Sequence, residues 1–85
     1  SMIRARIYDG DIVFIRKQSM VDNGEIAAVV IDDEATLKRV NYYPEKNLLI
    51  LKTENPDYED LVYTGEQLDH IIILGKAVAF QSDVR

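Results

Sequence analysis

The sequence predicts a small, mainly β domain made of hairpins and closed by one long C-terminal strand, and three observations carry that expectation. Short runs of Val, Ile, Leu, Tyr and Phe recur along the chain, each stopped by turn-forming residues, as strands require. Two of the stops, Asp32-Asp33-Glu34 and Tyr43-Pro44-Glu45-Lys46-Asn47, are short enough to close hairpins. Finally, residues 26–31, 48–51 and 71–74 are apolar without alternation, which suggests strands covered on both faces by a folded-over sheet or a partner chain.

In chain order, residues 2–8 are weakly patterned and are expected to include a helical turn after Ser1. Residues 11–17 begin the strand pattern, and 25–31 resume it. Asp32 and Asp33 supply a tight turn, because aspartate tolerates the backbone geometry such turns need. Residues 35–43 then return as a strand with Lys38 near its middle. Pro44 stops that strand, having no backbone N–H for a ladder, and 47–53 complete a three-stranded meander. Residues 57–67 are irregular apart from a short strand at 61–63. The last strand, 70–81, is long for so small a domain, and Gly75 in its middle predicts a bulge or bend that lets it serve two sheets. Residues 82–85 are expected to be a solvated tail.

No repeat, low-complexity tract or linker divides the 85 residues, so 1–85 is taken as one domain, able to bury about 60–65% of its extended surface. A hydrophobic share of 47% with 29% charged residues excludes the disordered class. The net charge of −5 and the isoelectric point near 4.7 oppose attraction to phosphate backbones, so this segment itself is not expected to bind nucleic acid. Cysteine is absent, which excludes disulfides and thiolate metal sites and fits a reducing, cytoplasmic setting. No apolar run is long enough to span a membrane, and no signal peptide is visible in these residues.

One pair of residues carries chemistry. Ser1 lies thirty-seven positions before Lys38, which sits in Glu34-Ala35-Thr36-Leu37-Lys38-Arg39-Val40. A lysine takes a hydroxyl proton only as the neutral amine, so a Ser-Lys pair needs the amine in apolar surroundings. Lowering its pKa from ~10.4 to about 7–8 corresponds to roughly 4 kcal/mol. Ala35, Leu37, Val40 and the run 26–31 make such surroundings feasible, and the expectation is a lysine largely buried, without a carboxylate partner.

Read in order, Ser1-Met2, Ala5-Arg6-Ile7-Tyr8-Asp9-Gly10-Asp11-Ile12-Val13, Asn23-Gly24-Glu25-Ile26-Ala27, Glu34-Ala35-Thr36-Leu37-Lys38-Arg39 and Glu54-Asn55-Pro56-Asp57-Tyr58 resemble the C-terminal domain of LexA-type and phage-type repressors. These are self-cleaving Ser-Lys peptidases that include UmuD-type mutagenesis proteins. The resemblance covers nearly the whole chain and implies a LexA-like, β-clip-type fold, Ser1 as nucleophile and Lys38 as general base. It further implies self-cleavage within an upstream segment, stimulated by a RecA filament on single-stranded DNA in an SOS-type response. It also implies homodimerisation, and DNA binding through an N-terminal domain. No cofactor or metal is implied.

The departures are specific. The chain starts at Ser1, without the residues that precede the serine in the family. None of Gly10, Gly24, Gly65 and Gly75 follows Ala or Cys, so no matching scissile bond is present, and the chain is expected to be a fragment of a longer regulator. Ser1 also admits a plainer reading, as a residue left by a tag ahead of a start methionine. The thirty-seven-residue interval and Ile7-Tyr8-Asp9-Gly10-Asp11 favour the nucleophile.

Other chemistry-bearing residues have bland readings. His70 beside Asp69 invites a triad, but neighbours on a strand face opposite ways. Asp32-Asp33-Glu34 and Glu54, Asp57, Glu59, Asp60 lack the ligand spacing of a calcium loop and suit solvated turns. Tyr42, Tyr43, Tyr58 and Tyr63 lack the basic groove of a single-strand platform and suit half-buried packing. Arg39 is expected to face away from Lys38 and form a surface or interface salt bridge. Two rival functions stay open: a noncatalytic dimerisation module, pairing through 70–81 with Ile73, Ala77 and Ala79 at its centre, and a type I signal peptidase-like domain. The second lacks a membrane anchor, and Glu54-Asn55-Pro56-Asp57-Tyr58 looks like the repressor group instead.

Overall fold

The computed structural model describes residues 2–6, 12–53 and 56–81, with side chains at 2–4, 12–53 and 56–79. The described strands are β1 (Met2–Arg6), β2 (Ile12–Lys17), β3 (Ile26–Ile31), β4 (Glu34–Tyr43), β5 (Leu48–Lys52), β6 (Leu61–Thr64) and β7 (Ile71–Gln81). They form a single antiparallel sheet in the order β1-β2-β7-β3-β4-β5-β6, so the fold is mainly β as expected.

Local chemistry explains the turns. Asp32 and Asp33 both have positive φ, 51° and 66°, giving a two-residue turn whose twist matches the strands it joins. After β4, Pro44–Lys46 form a single 3-10 turn with Pro44 at its start and Asn47 in the left-handed conformation at its end. Gly65–His70 form a second 3-10 helix, with the Thr64 N–H donating to Gln67 Oε1 at 3.0 Å. The last strand therefore starts at Ile71 rather than at residue 70, and Asp69 and His70 sit exposed on a helical turn.

The helical turn expected after Ser1 is not formed at residues 2–6. They make β1 instead, in register with β2 from Met2 opposite Arg16 to Arg6 opposite Ile12. The free edge of β2 offers a ladder whose hydrogen bonds outweigh a weak local helix preference.

The sheet covers itself. On one face Val21, Ala27, Val29, Val40, Leu49 and Leu51 form a buried cluster, against which Tyr42, Tyr63, Leu68 and Ile73 pack. On the other, Val13, Ile15 and Ala28 are buried against Leu37, Leu74 and Ala77. Strand β3 feeds both, which is why residues 26–31 do not alternate. Each fully buried Val, Leu or Ile side chain contributes about 1.5–3 kcal/mol by leaving water.

Strand β7 joins the two halves. Its residues 71–76 pair with β3 and 75–81 with β2, and the registers slip past Leu74 on one side and Val78 on the other. Gly75 lies at the overlap, opposite both Lys17 and Ala28. A Cβ there would collide with the Arg16 carbonyl and the Ile15 side chain. The expected irregularity is present as these register shifts on either side of Gly75, but β7 joins two halves of one sheet rather than serving two sheets.

Candidate active site on strand β4

Strand alternation puts Glu34, Thr36, Lys38, Val40 and Tyr42 on one face of β4. Lys38 stands opposite Ala27 and continues a row through Lys76 on β7 to Arg16 on β2. Its side chain is half-buried beside the fully buried Ala27 and lines a cleft of about 270 Å³ with Ile31, Asp32, Glu34, Thr36 and Leu61. The expected deep burial among apolar groups is thus only partly met, because the cleft is open above Lys38 and two carboxylates share its wall. Neither of these pairs with it: among the described residues Lys38 forms no ion pair. Four residues of extended strand separate it from Glu34 by about 13 Å.

The charge nearest Lys38 in the row is already compensated. Lys76 Nζ lies 2.5 Å from Glu25 Oε2. That hydrogen bond, reinforced by the Asp22 N–H, holds the Glu25 carboxyl below the usual carboxylate range. The turn containing Glu25 is clamped to β4 just beyond Lys38. Gly24 N donates to Val40 O at 2.9 Å and to Asn41 Oδ1 at 3.0 Å, Val40 N donates to Glu25 O at 3.0 Å, and Arg39 Nη1 donates to Gly24 O. Arg39 does face away from Lys38, as alternation requires, and secures this turn.

Ser1 lies outside the described residues, as do residues 7–11 and Glu54-Asn55 of the family-like segments. Its neighbour Met2 is exposed on β1, with β2, β7 and β3 between it and β4 in the sheet order. Among the other candidates, Tyr42 and Tyr63 pack on the core as expected, whereas Tyr58 is 68% exposed. Among the described residues no group of His, Asp and Glu is arranged to hold a metal, and no helix is long and apolar enough to cross a membrane. A second cavity of about 180 Å³, lined by Met20, Tyr42, Leu49, Leu68 and Ile73 among others, holds no charged group.

Thr36, Leu61 and Ile31 were not singled out from sequence. Thr36 was within reach, since it lies two residues before Lys38 and so shares its face. Leu61 and Ile31 reach the cleft through strand pairing and had no local signal.

The fold and cleft define a small antiparallel β-sheet domain that presents from a central strand a lysine without an ion partner among the described residues. The Peptidase S24-like family model matches residues 1–78, and the chain belongs to that family. It is 45% identical to a LexA repressor of Desulfitobacterium hafniense over 92% of the chain and 35% of that protein. Over 99% of the chain it is 40% identical to a LexA repressor of Staphylococcus epidermidis, covering 38% of it. With a LexA repressor of Frankia alni the identity is 47% over 93% of the chain and 28% of the relative. The chain thus spans about a third of the length of these relatives.

Proposed function

We propose that the chain is the self-cleaving peptidase domain of a LexA-like transcriptional repressor, with Ser1 as nucleophile and Lys38 as general base. One observation carries this reading: in a chain matching the S24-like family from residue 1 onward, Lys38 lines an open cleft and has no ion-pair partner among the described residues.

In this mechanism the neutral Lys38 amine takes the Ser1 hydroxyl proton as the oxygen attacks a peptide carbonyl. Lys38 then returns the proton to the leaving amine, and water releases the acyl group. Backbone amides at and before the serine stabilise the oxyanion. The open cleft gives the substrate a second task, because a peptide lying over Ile31, Thr36 and Leu61 excludes water from the Lys38 amine. Among the described residues β1 pairs with β2 alone.

The substrate is the regulator's own upstream segment. A RecA filament on single-stranded DNA favours the reactive arrangement, and DNA is bound by an N-terminal domain, since this acidic segment repels phosphate. The protein works in the cytoplasm as a homodimer. Incubating the full-length protein at mildly alkaline pH tests the reading. Two fragments should accumulate, and neither Ser1→Ala nor Lys38→Ala should produce them; cleavage unchanged in either variant rejects the dyad.

A noncatalytic pairing module is the second reading. It is favoured by residues 77–81 of β7, which have β2 on one side and no described strand on the other, with Ala79 exposed. Ile73 packs against the chain's own core.

A further inference from the structure

Asn23-Gly24 is the dipeptide most open to attack of a backbone nitrogen on a side-chain amide, because glycine has no side chain to obstruct the approach. Both residues are exposed, so water reaches them. Every group the reaction needs is nevertheless engaged by β4. Asn23 Oδ1 accepts from Tyr42 N at 2.7 Å, and Asn23 Nδ2 donates to Tyr42 O at 3.2 Å. The Gly24 N–H, whose nitrogen would be the nucleophile, is directed at Val40 O and Asn41 Oδ1.

We propose that Asn23-Gly24 is a latent deamidation site that strand β4 keeps closed. When the turn lifts from β4, Gly24 N bonds to Asn23 Cγ and the bond from Cγ to the side-chain nitrogen breaks. That nitrogen leaves as ammonia with the Gly24 proton, and a cyclic imide remains. Water then adds across one or the other imide C–N bond, giving aspartate or isoaspartate.

Either product prevents the turn from re-forming its attachment. An aspartate has no N–H for Tyr42 O and sets a negative charge against that carbonyl, while isoaspartate lengthens the backbone by one carbon. Opening comes first and the modification makes it permanent, so the site records how often the end of β4 beyond Lys38 has come loose.

The test compares the full-length protein, native and urea-unfolded, incubated at the same mildly alkaline pH, with mass spectrometry of the peptide containing Asn23. Native modification should be at least about tenfold slower, because it passes through a rare open state. Asn41→Ala, which frees one acceptor from Gly24 N, should speed the native reaction several-fold while far-UV circular dichroism stays unchanged. Equal rates in native and unfolded protein would overturn the proposal. So would a folded Asn41→Ala variant that modifies no faster. The comparison with urea decides the question even if the variant does not fold.

Discussion

Asn23 is bonded to the backbone of Tyr42 as a strand residue would be, its side-chain amide accepting from the N–H and donating to the carbonyl of the same residue. One side chain thereby supplies the rung that β3 lacks at this end, where the ladder to β4 stops at Ile26 opposite Arg39. Replacing Asn23 by Ala should lower stability by about 1–2 kcal/mol for two lost bonds. In a domain of this size each kcal/mol lowers Tm by roughly 4–8 °C. Asn23→Asp should cost at least as much, since it adds repulsion at the Tyr42 carbonyl. Thermal unfolding followed by circular dichroism checks both.

Gly75→Ala should destabilise by about 1–3 kcal/mol, because the new methyl meets the Arg16 backbone, which is fixed in a ladder. Urea unfolding should show a lower midpoint at an unchanged slope. An unaffected midpoint would mean that β2 and β7 can separate freely.

The pair Glu25–Lys76 makes stability depend on acid. Glu25 has a folded-state pKa below its ordinary 4.5, so its contribution is present above that value and is lost as pH falls through the folded pKa. Glu25→Gln should flatten the pH dependence of Tm in that acid range while leaving its shape at neutral pH unchanged. High salt should weaken the difference between the two proteins.

Lys38→Met should separate chemistry from folding. Half-buried and without an ion partner among the described residues, Lys38 can be replaced with a change in stability within about 1 kcal/mol. Self-cleavage of the full-length protein should nonetheless disappear. A variant that lost cleavage only because it unfolded would show it in the same melting curve.

Assembly through the edge of 77–81 that no described strand covers should respond to charge at Ala79, whose side chain is exposed, whereas Ala77 packs against the core. Sedimentation of Ala79→Glu at micromolar concentration should give a monomer where the unaltered protein gives a dimer. Identical behaviour of the two proteins would remove this edge from the interface.

Much of the site was legible locally. Lys38 in mid-strand, the aspartate turn and Pro44 all rest on chemistry within a few residues, and the family-like segments supply the proposed pairing of Ser1 with Lys38. The half-exposure of Lys38 was not legible. It depends on what stands above the strand, namely Leu61 and Ile31, which arrive through pairing across β5 and β3. The 3-10 turn ending at His70 was hidden as well, since an apolar run continues directly from it and masks where the helix stops.

By itself the sequence determined the strands from β2 onward, the aspartate turn and the residue chemistry on β4, because these follow from runs of strand-forming residues and from backbone preferences of Asp and Pro. Only the tertiary structure decided that β7 is shared between β2 and β3, that Gly75 is the point of closest approach, and that Asn23 holds β4 through Tyr42. Those outcomes depend on which strands lie side by side and in what register. Such pairings join residues far apart in the chain, and their energies carry no local signature that a single sequence displays.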